Sequence, residues 1–191
     1  VYVQLETDGE FIPLIDELLG AYNLISSQKN VLWFYTTHNA PNGKVVKLLI
    51  NEDGAMAWSE VIAETKNSIS SVNVINNSFA VIYLEDTLSL VNFYNLDGSF
   101  SHTLKGGFKG SIGGFGGKID DTESYFSYTN FTTPSQIHKI DLATKSSELF
   151  WEEKLPDFNA NDYTSELRFY KSKDGTKIPL HVSYKKSSKL N

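Results

Sequence analysis

The chain has 191 residues, 40% hydrophobic and 13% aromatic, which is typical of a globular domain with its own core and excludes a disordered segment. A net charge of −6 and a single arginine, Arg168, argue against a nucleic-acid or membrane partner. The absence of cysteine excludes a disulfide scaffold, a cysteine nucleophile and cysteine-bound zinc, and it fits both reducing and oxidising compartments.

The chain begins with a predicted strand at residues 1–6 that has neither the basic nor the apolar part of a signal peptide. It starts within this strand pattern and without Met, which indicates a processed or excised piece. No apolar run approaches the roughly 18 residues that a membrane span needs. We therefore expect a soluble protein, cytoplasmic or periplasmic, with the compartment left open.

Residues 12–19 allow one or two helical turns, and helical periodicity is almost absent elsewhere. Runs rich in Val, Ile, Tyr, Phe and Trp then alternate with Gly, Asn, Asp and Ser, which predicts strands and tight turns. Three such strands are alike, at residues 32–37, 79–84 and 125–130. Each follows a weaker strand and a polar turn, and each precedes two further strands.

The turns after the third strand of each unit begin at Ile50, Tyr94 and Ile140, which are 44 and 46 residues apart. Four strands in about 45 residues are the signature of a propeller blade, whose sheet buries its faces against its neighbours. A β-sandwich is the alternative. The predicted units, residues 21–62, 69–104 and 110–151, are too few for most closed rings of about four to eight blades.

The polar connector at residues 152–162 breaks this pattern. It is followed by a predicted hairpin with strands at residues 165–171 and 177–184 and an Asp174–Gly175 turn. Pro179 in the second strand predicts an edge or bulge position. The hairpin does not fit the blade pattern, so we interpret it as the beginning of another domain.

This same hairpin carries a family resemblance. The stretch Ser-Lys-Asp-Gly-Thr-Lys-Ile-Pro-Leu at residues 172–180, with Tyr-Lys-Lys at 184–186, resembles the opening of the peptidase domain in the prolyl oligopeptidase (prolyl endopeptidase) family of serine peptidases. Residues 126–137 and 140–142 resemble the last propeller blade of that family, and Asp162–Tyr163 lies in a similar linker. The resemblance is dense over residues 124–190 and weaker, but collinear, back to Phe11.

The resemblance implies a seven-bladed propeller that caps an α/β-hydrolase domain and admits only short peptides, which are cleaved after proline. The family's Ser-Asp-His triad lies downstream of the hairpin, and no residue here matches it. We therefore expect an all-β partial propeller of three to four blades in residues 1–155 and a linker with the hairpin in 156–191. Its expected role is substrate gating beside the peptidase domain of the same polypeptide, with no activity of its own; a stand-alone interaction module is the alternative.

A direct search for chemistry predicts no catalytic residue and no cofactor. Ser111 lacks the Gly-x-Ser-x-Gly context of a hydrolase nucleophile, because Lys109 stands two residues before it. The glycines at residues 106–117 end in Gly-Lys-Ile, which fails both the P-loop and the dinucleotide pattern at Ile119. They suit tight turns and close backbone approach near a propeller axis.

No metal site is predicted either. His38, His102, His138 and His181 are scattered, and the acidic stretch at residues 120–123 is typical of a solvated turn. Asn76 and Asn130 begin short glycosylation sequons of the kind that arise by chance. The following aromatic residues are assigned to the core or to blade interfaces: Trp33, Tyr35, Phe79, Tyr83, Tyr125 and Tyr128.

A partial propeller leaves apolar blade faces uncovered at both ends. We therefore expect the chain to self-associate.

Overall fold

A computed structural model describes residues 2–3, 9 and 11–188. Within them, three four-stranded antiparallel sheets follow one another along the chain, which confirms the all-β blade architecture. Blade 1 consists of β3 (Tyr22–Gln28), β4 (Val31–Thr36), β5 (Lys44–Ile50) and β6 (Met56–Ile62). Blade 2 consists of β7 (Ser68–Ile75), β8 (Ser78–Glu85), β9 (Leu88–Asn95) and β10 (Phe100–Thr103). Blade 3 consists of β11 (Ser111–Gly116), β12 (Glu123–Asn130), β13 (Thr133–Asp141) and β14 (Ser146–Glu152).

The N-terminal segment differs in part from its prediction. β1 (Tyr2–Val3) pairs with β2 (Ile12–Pro13), and the rest of the predicted strand at residues 1–6 lies outside the described residues. Residues 12–19 take no helical turn. The reason is packing, because Leu14 lies against the apolar cluster of blade 1 formed by Phe34 and Leu48.

Each blade is a meander whose strands pair with their neighbours in sequence. Two-residue turns suit this arrangement when both residues take positive φ, because such turns match the right-handed strand twist. Asn76 and Asn77 join β7 to β8 at φ 48° and 49°. Asparagine tolerates this left-handed backbone better than most residues, which is why the sequence carries a turn signal here.

The blades pack face to face through alternating residues. Phe79 and Val81 of β8 point toward blade 1 and join Trp33 in one buried cluster. Ala80 and Ile82 of the same strand point toward blade 3 and join a second buried cluster. A blade in the middle of the stack therefore hides both faces, and each fully buried large side chain contributes about 1.5–3 kcal/mol.

The aromatic assignments are largely confirmed. Tyr35 is half-buried and packs against the cluster between blades 1 and 2. Tyr125, predicted to lie in the core or at a blade interface, is 44% exposed. It points away from blade 2, to the side of blade 3 on which no other blade of the described residues packs. The fully buried members of the set are Trp33, Phe79, Tyr83 and Tyr128.

The C-terminal segment begins with a 3₁₀ turn, Ala160–Asp162, capped by the Asn159 side chain. The predicted hairpin follows as β15 (Tyr163–Lys171) and β16 (Lys177–Lys185), which form a two-stranded sheet. Pro179 lies opposite Phe169 on an edge strand, as predicted. None of the described helical residues makes a stretch long and apolar enough to cross a bilayer.

Candidate functional site at the blade–hairpin junction

The hairpin docks on one end of the blades, and His181 of β16 makes the contact. Its Nε2 atom is hydrogen-bonded to Thr87 Oγ1 at 2.7 Å. Its ring lies 5.1 Å from the ring of Phe131. Thr87 belongs to the β8–β9 turn and Phe131 to the β12–β13 turn, so one side chain holds the hairpin against both blade 2 and blade 3.

The backbone of Thr87 is strained where it meets the hairpin. Its φ is 73°, a left-handed value that a β-branched residue rarely adopts. Such strain costs about 1–3 kcal/mol, and it concentrates at functional positions. At Thr87, this backbone conformation places the side-chain hydroxyl against His181.

A cavity of about 290 Å³ opens beside this contact. Its lining holds one lysine and one histidine and no carboxylate, which is notable in a chain of net charge −6. Hydroxyl and amide groups supply the remaining polar atoms. The polar and charged lining residues are Thr87, Lys109, Ser111, Thr129, Asn130, Ser165 and His181.

Ser111 and His181 therefore line the same cavity, although 70 residues separate them in sequence. The Nε2 atom of His181 is bonded to Thr87, and no carboxylate of the lining orients the imidazole. A hydrolytic triad needs a base that bonds the nucleophile and an acid that orients the base. Here His181 bonds Thr87 instead of Ser111, and the lining holds no acid. The absence of catalytic residues stays a prediction.

Part of the glycine-rich stretch, namely Gly113, Gly114 and Gly116, lies in β11, the first strand of blade 3. First strands of consecutive blades contact each other, so they form the inner edge of the arc. A bulge between Gly114 and Gly116 puts Phe115 at φ 63°. A Cβ on Gly114 would lie 2.8 Å from the carbonyl oxygen of Tyr125 on the next strand. Glycine here permits close backbone approach.

The other histidines are used for packing. His102 stacks on Phe93 at 4.5 Å, and His138 stacks on Phe126 at 5.1 Å. The His38 Nδ1 atom lies 3.2 Å from the carbonyl oxygen of Leu19. In the described part of the chain, no three His, Asp or Glu side chains converge as a metal site would require.

The acidic turn and one sequon are also tied to local structure. Glu123 forms an ion pair with Lys139 at 2.6 Å. Asp121 accepts a hydrogen bond from the backbone of Lys118 at 2.8 Å. The amide nitrogen of Asn130 donates to the Tyr128 hydroxyl at 2.8 Å. These side chains hold the turns between strands.

Stability should fall as the pH is lowered from 7.5 to 5.5. Burial lowers the pKa of His138 and of His102, so the unfolded chain binds more protons in this range. The contribution of the two histidines to the free energy of unfolding is complete above their unfolded pKa of about 6.5. It is lost as the pH falls toward their lower pKa in the folded chain. His138→Gln should flatten the curve of unfolding free energy against pH, measured by urea denaturation. A slope equal to that of the wild type would show that His138 does not cause the pH dependence.

Sequence reasoning missed the junction. Thr87 and His181 are 94 residues apart, and neither lies in a recognisable motif. The single local feature that could have pointed to this contact is the two-residue turn at Asp86–Thr87. It contains a threonine where glycine or asparagine is usual.

Stacked four-stranded blades with a hairpin docked on one end define this chain as a segment of a β-propeller. The chain belongs to the family described as prolyl oligopeptidase, N-terminal beta-propeller domain, which matches residues 1–153. The resemblance noted in the sequence is thereby confirmed.

Named relatives and solved structures agree with this membership. The chain is 35% identical to a prolyl endopeptidase of Elizabethkingia meningoseptica over 185 residues, which cover 97% of the chain and 26% of that relative. A structure from an analysis of two prolyl endopeptidases superposes with a TM-score of 0.86 at 29% identity, covering 98% of this chain and 28% of the other. The structure of prolyl oligopeptidase B from Galerina marginata superposes with a TM-score of 0.85 at 25% identity, covering 97% of this chain and 27% of the other. The chain thus spans about a quarter of the length of these proteins.

Proposed function

We propose that this chain is the non-catalytic, substrate-gating propeller segment of a prolyl oligopeptidase whose whole enzyme cleaves short peptides after proline. Residues 1–155 are the propeller part, and residues 156–191 are the linker and the hairpin that leads into the peptidase domain. The observation that carries the proposal is the docking of the hairpin on blades 2 and 3 through His181. A gate needs a defined position relative to the domain that it covers, and this contact provides one.

The chain alone should not turn over a chromogenic Gly-Pro substrate, because no described side chains form a nucleophile, base and acid in contact. The measurement is product absorbance with purified chain, with the prolyl endopeptidase of Elizabethkingia meningoseptica as the positive control. Turnover that a serine-directed inhibitor abolishes would contradict the proposal.

The gating role is testable in a chimera in which this chain replaces the matching quarter of that prolyl endopeptidase. We expect the chimera to cleave a short proline peptide and to leave a folded protein with exposed proline uncut. Thr87→Val should loosen the hairpin and raise the cleavage of longer peptides relative to short ones. Lys66→Gln, which alters an exposed blade-edge ion pair, is the matched control. A folded chimera without length selectivity would contradict the role.

We also propose that the 191-residue chain self-associates in solution, because both end blades carry exposed apolar side chains. Sedimentation velocity over a range of concentrations should show a species larger than 21.4 kDa. A single monomeric boundary at the highest concentration would contradict it.

A further inference from the structure

The cavity of about 290 Å³ beside His181, here called the junction cavity, is built by three separate parts of the fold. Thr87 belongs to the β8–β9 turn of blade 2, and residues 109–111 and 129–131 belong to blade 3 and the loop before it. Ser165 and His181 come from the two strands of the hairpin. Pockets for small ligands begin at about 300 Å³, so the junction cavity suits a ligand of one or two amino-acid residues.

Several hydrogen-bond donors of the junction cavity are unused. Within the described part of the chain, the Lys109 ammonium group forms no ion pair and the Ser111 hydroxyl forms no hydrogen bond. Ser165 Oγ accepts a hydrogen bond from Ser183 Oγ at 2.8 Å, which leaves the hydroxyl proton of Ser165 available. A carboxylate accepts hydrogen bonds and donates none, so it complements these groups.

The backbone that carries Lys109 and Ser111 is held between blades 2 and 3. The Gly110 carbonyl accepts a hydrogen bond from the backbone nitrogen of Ser89 at 3.0 Å. On its other side, Gly110 lies so close to blade 3 that a Cβ would overlap the carbonyl oxygen of Thr129. The two side chains therefore start from an ordered backbone, which lowers the entropic cost of binding a ligand.

An apolar wall lies beside these donors. The Phe131 ring is 69% exposed, although it packs against His181 at 5.1 Å, and Leu88 lines the same cavity. A ligand that joins a carboxylate to a small apolar ring matches both the polar and the apolar side of the cavity. The end of a peptide whose last residue is proline has this combination.

We propose that the junction cavity binds the C-terminal proline of a short peptide. The carboxylate lies at Lys109 and Ser111, and the pyrrolidine ring packs against Phe131. The source of such a peptide rests on the function proposed above, because cleavage after proline releases products that end in this residue. A ligand here contacts blade 2, blade 3 and the hairpin together, so its binding stabilises the docked hairpin.

Isothermal titration calorimetry of the purified chain with N-acetyl-Gly-Pro tests the site, and we expect saturable binding of one peptide per chain. N-acetyl-Gly-Pro amide lacks the carboxylate, and N-acetyl-Gly-Gly lacks the ring. Each should bind about fivefold more weakly or worse. Inorganic phosphate should also bind more weakly than the peptide. Equal or tighter binding of phosphate would overturn the assignment to a peptide end, because it would indicate a general oxyanion site.

Two variants test the residues that hold the carboxylate. Lys109→Gln should raise the dissociation constant of N-acetyl-Gly-Pro by about tenfold, and Ser111→Ala by about fivefold. Lys105→Gln is the matched control and should leave the dissociation constant unchanged, because Lys105 is an exposed lysine of the same loop that does not line the cavity. Circular dichroism checks that all three variants are folded.

Three results would each overturn the site: no binding at peptide concentrations up to about 20 mM, equal binding of the acid and its amide, or wild-type affinity in Lys109→Gln. The gating function is judged separately, by the chimera. Length-selective cleavage by the chimera without peptide binding would remove only the site. Peptide binding in a chimera without length selectivity would remove only the gating function.

Discussion

Gly98→Ala is expected to destabilise the chain by about 3 kcal/mol or more, the sum of backbone strain and overpacking. Gly98 lies in the β9–β10 turn at φ 89°, in the left-handed region. A Cβ there would overlap the carbonyl oxygen of Val61 in β6 of the neighbouring blade. Because backbone atoms cannot rotate aside, relief requires blades 1 and 2 to move apart.

Gly54 provides a matched control from the same turn in blade 1. Gly54 N donates to the Asn51 carbonyl and Gly98 N to the Asn95 carbonyl, both at 2.9 Å. The φ of Gly54 is 81°, and a Cβ there would meet nothing within 4 Å. Gly54→Ala should therefore cost about 1 kcal/mol, from strain alone. Equal losses in urea denaturation of the two variants would contradict the proposed blade contact.

Phe126→Ala is expected to lower the free energy of unfolding by about 3–5 kcal/mol, the usual cost of truncating a buried phenylalanine. Phe126 is fully buried between blades 2 and 3. Its ring stacks on Phe115 and on His138, each at a centroid distance of 5.1 Å, and meets Phe108 edge-on at 5.2 Å. The cavity left by truncation would lie at the blade interface.

Loss of these contacts should release blade 3 before the other two blades unfold. Limited proteolysis should then cut the loop between β10 and β11, residues 104–110, sooner than in the wild type. Phe100→Ala, at an exposed phenylalanine, is the control and should change the free energy of unfolding by about 0.5 kcal/mol or less. A wild-type cleavage rate for Phe126→Ala would show that the blade interface does not depend on this ring.

The repeat was readable from sequence because its signals are local. Strand alternation and turn residues act over a few positions, so the third-strand turns at Ile50, Tyr94 and Ile140 marked the blades before any contact was known. The family resemblance was readable for the same reason, since the hairpin at residues 172–180 is one short continuous motif. The predicted blade limits accordingly match the observed strands to within one or two residues.

The N-terminal segment and one aromatic residue could not be placed in this way. Residues 12–19 have an apolar pattern that permits helical turns, and the contact of Leu14 with blade 1 overrides it. Tyr125 and Tyr128 are the same residue type in one strand, yet one is exposed and the other buried. Period-two alternation separates the two faces of a strand but does not show which face another blade covers.

The sequence by itself determined that the chain folds into four-stranded antiparallel units followed by a hairpin, because backbone hydrogen bonding and side-chain alternation depend on near neighbours. Only the tertiary structure decided that His181 meets Thr87 and Phe131, and that Tyr125 is exposed where Tyr128 is buried. These features depend on how separate sheets stack, and residues far apart in sequence meet only after that stacking is complete. The contact on which the proposed gate rests arises at this level.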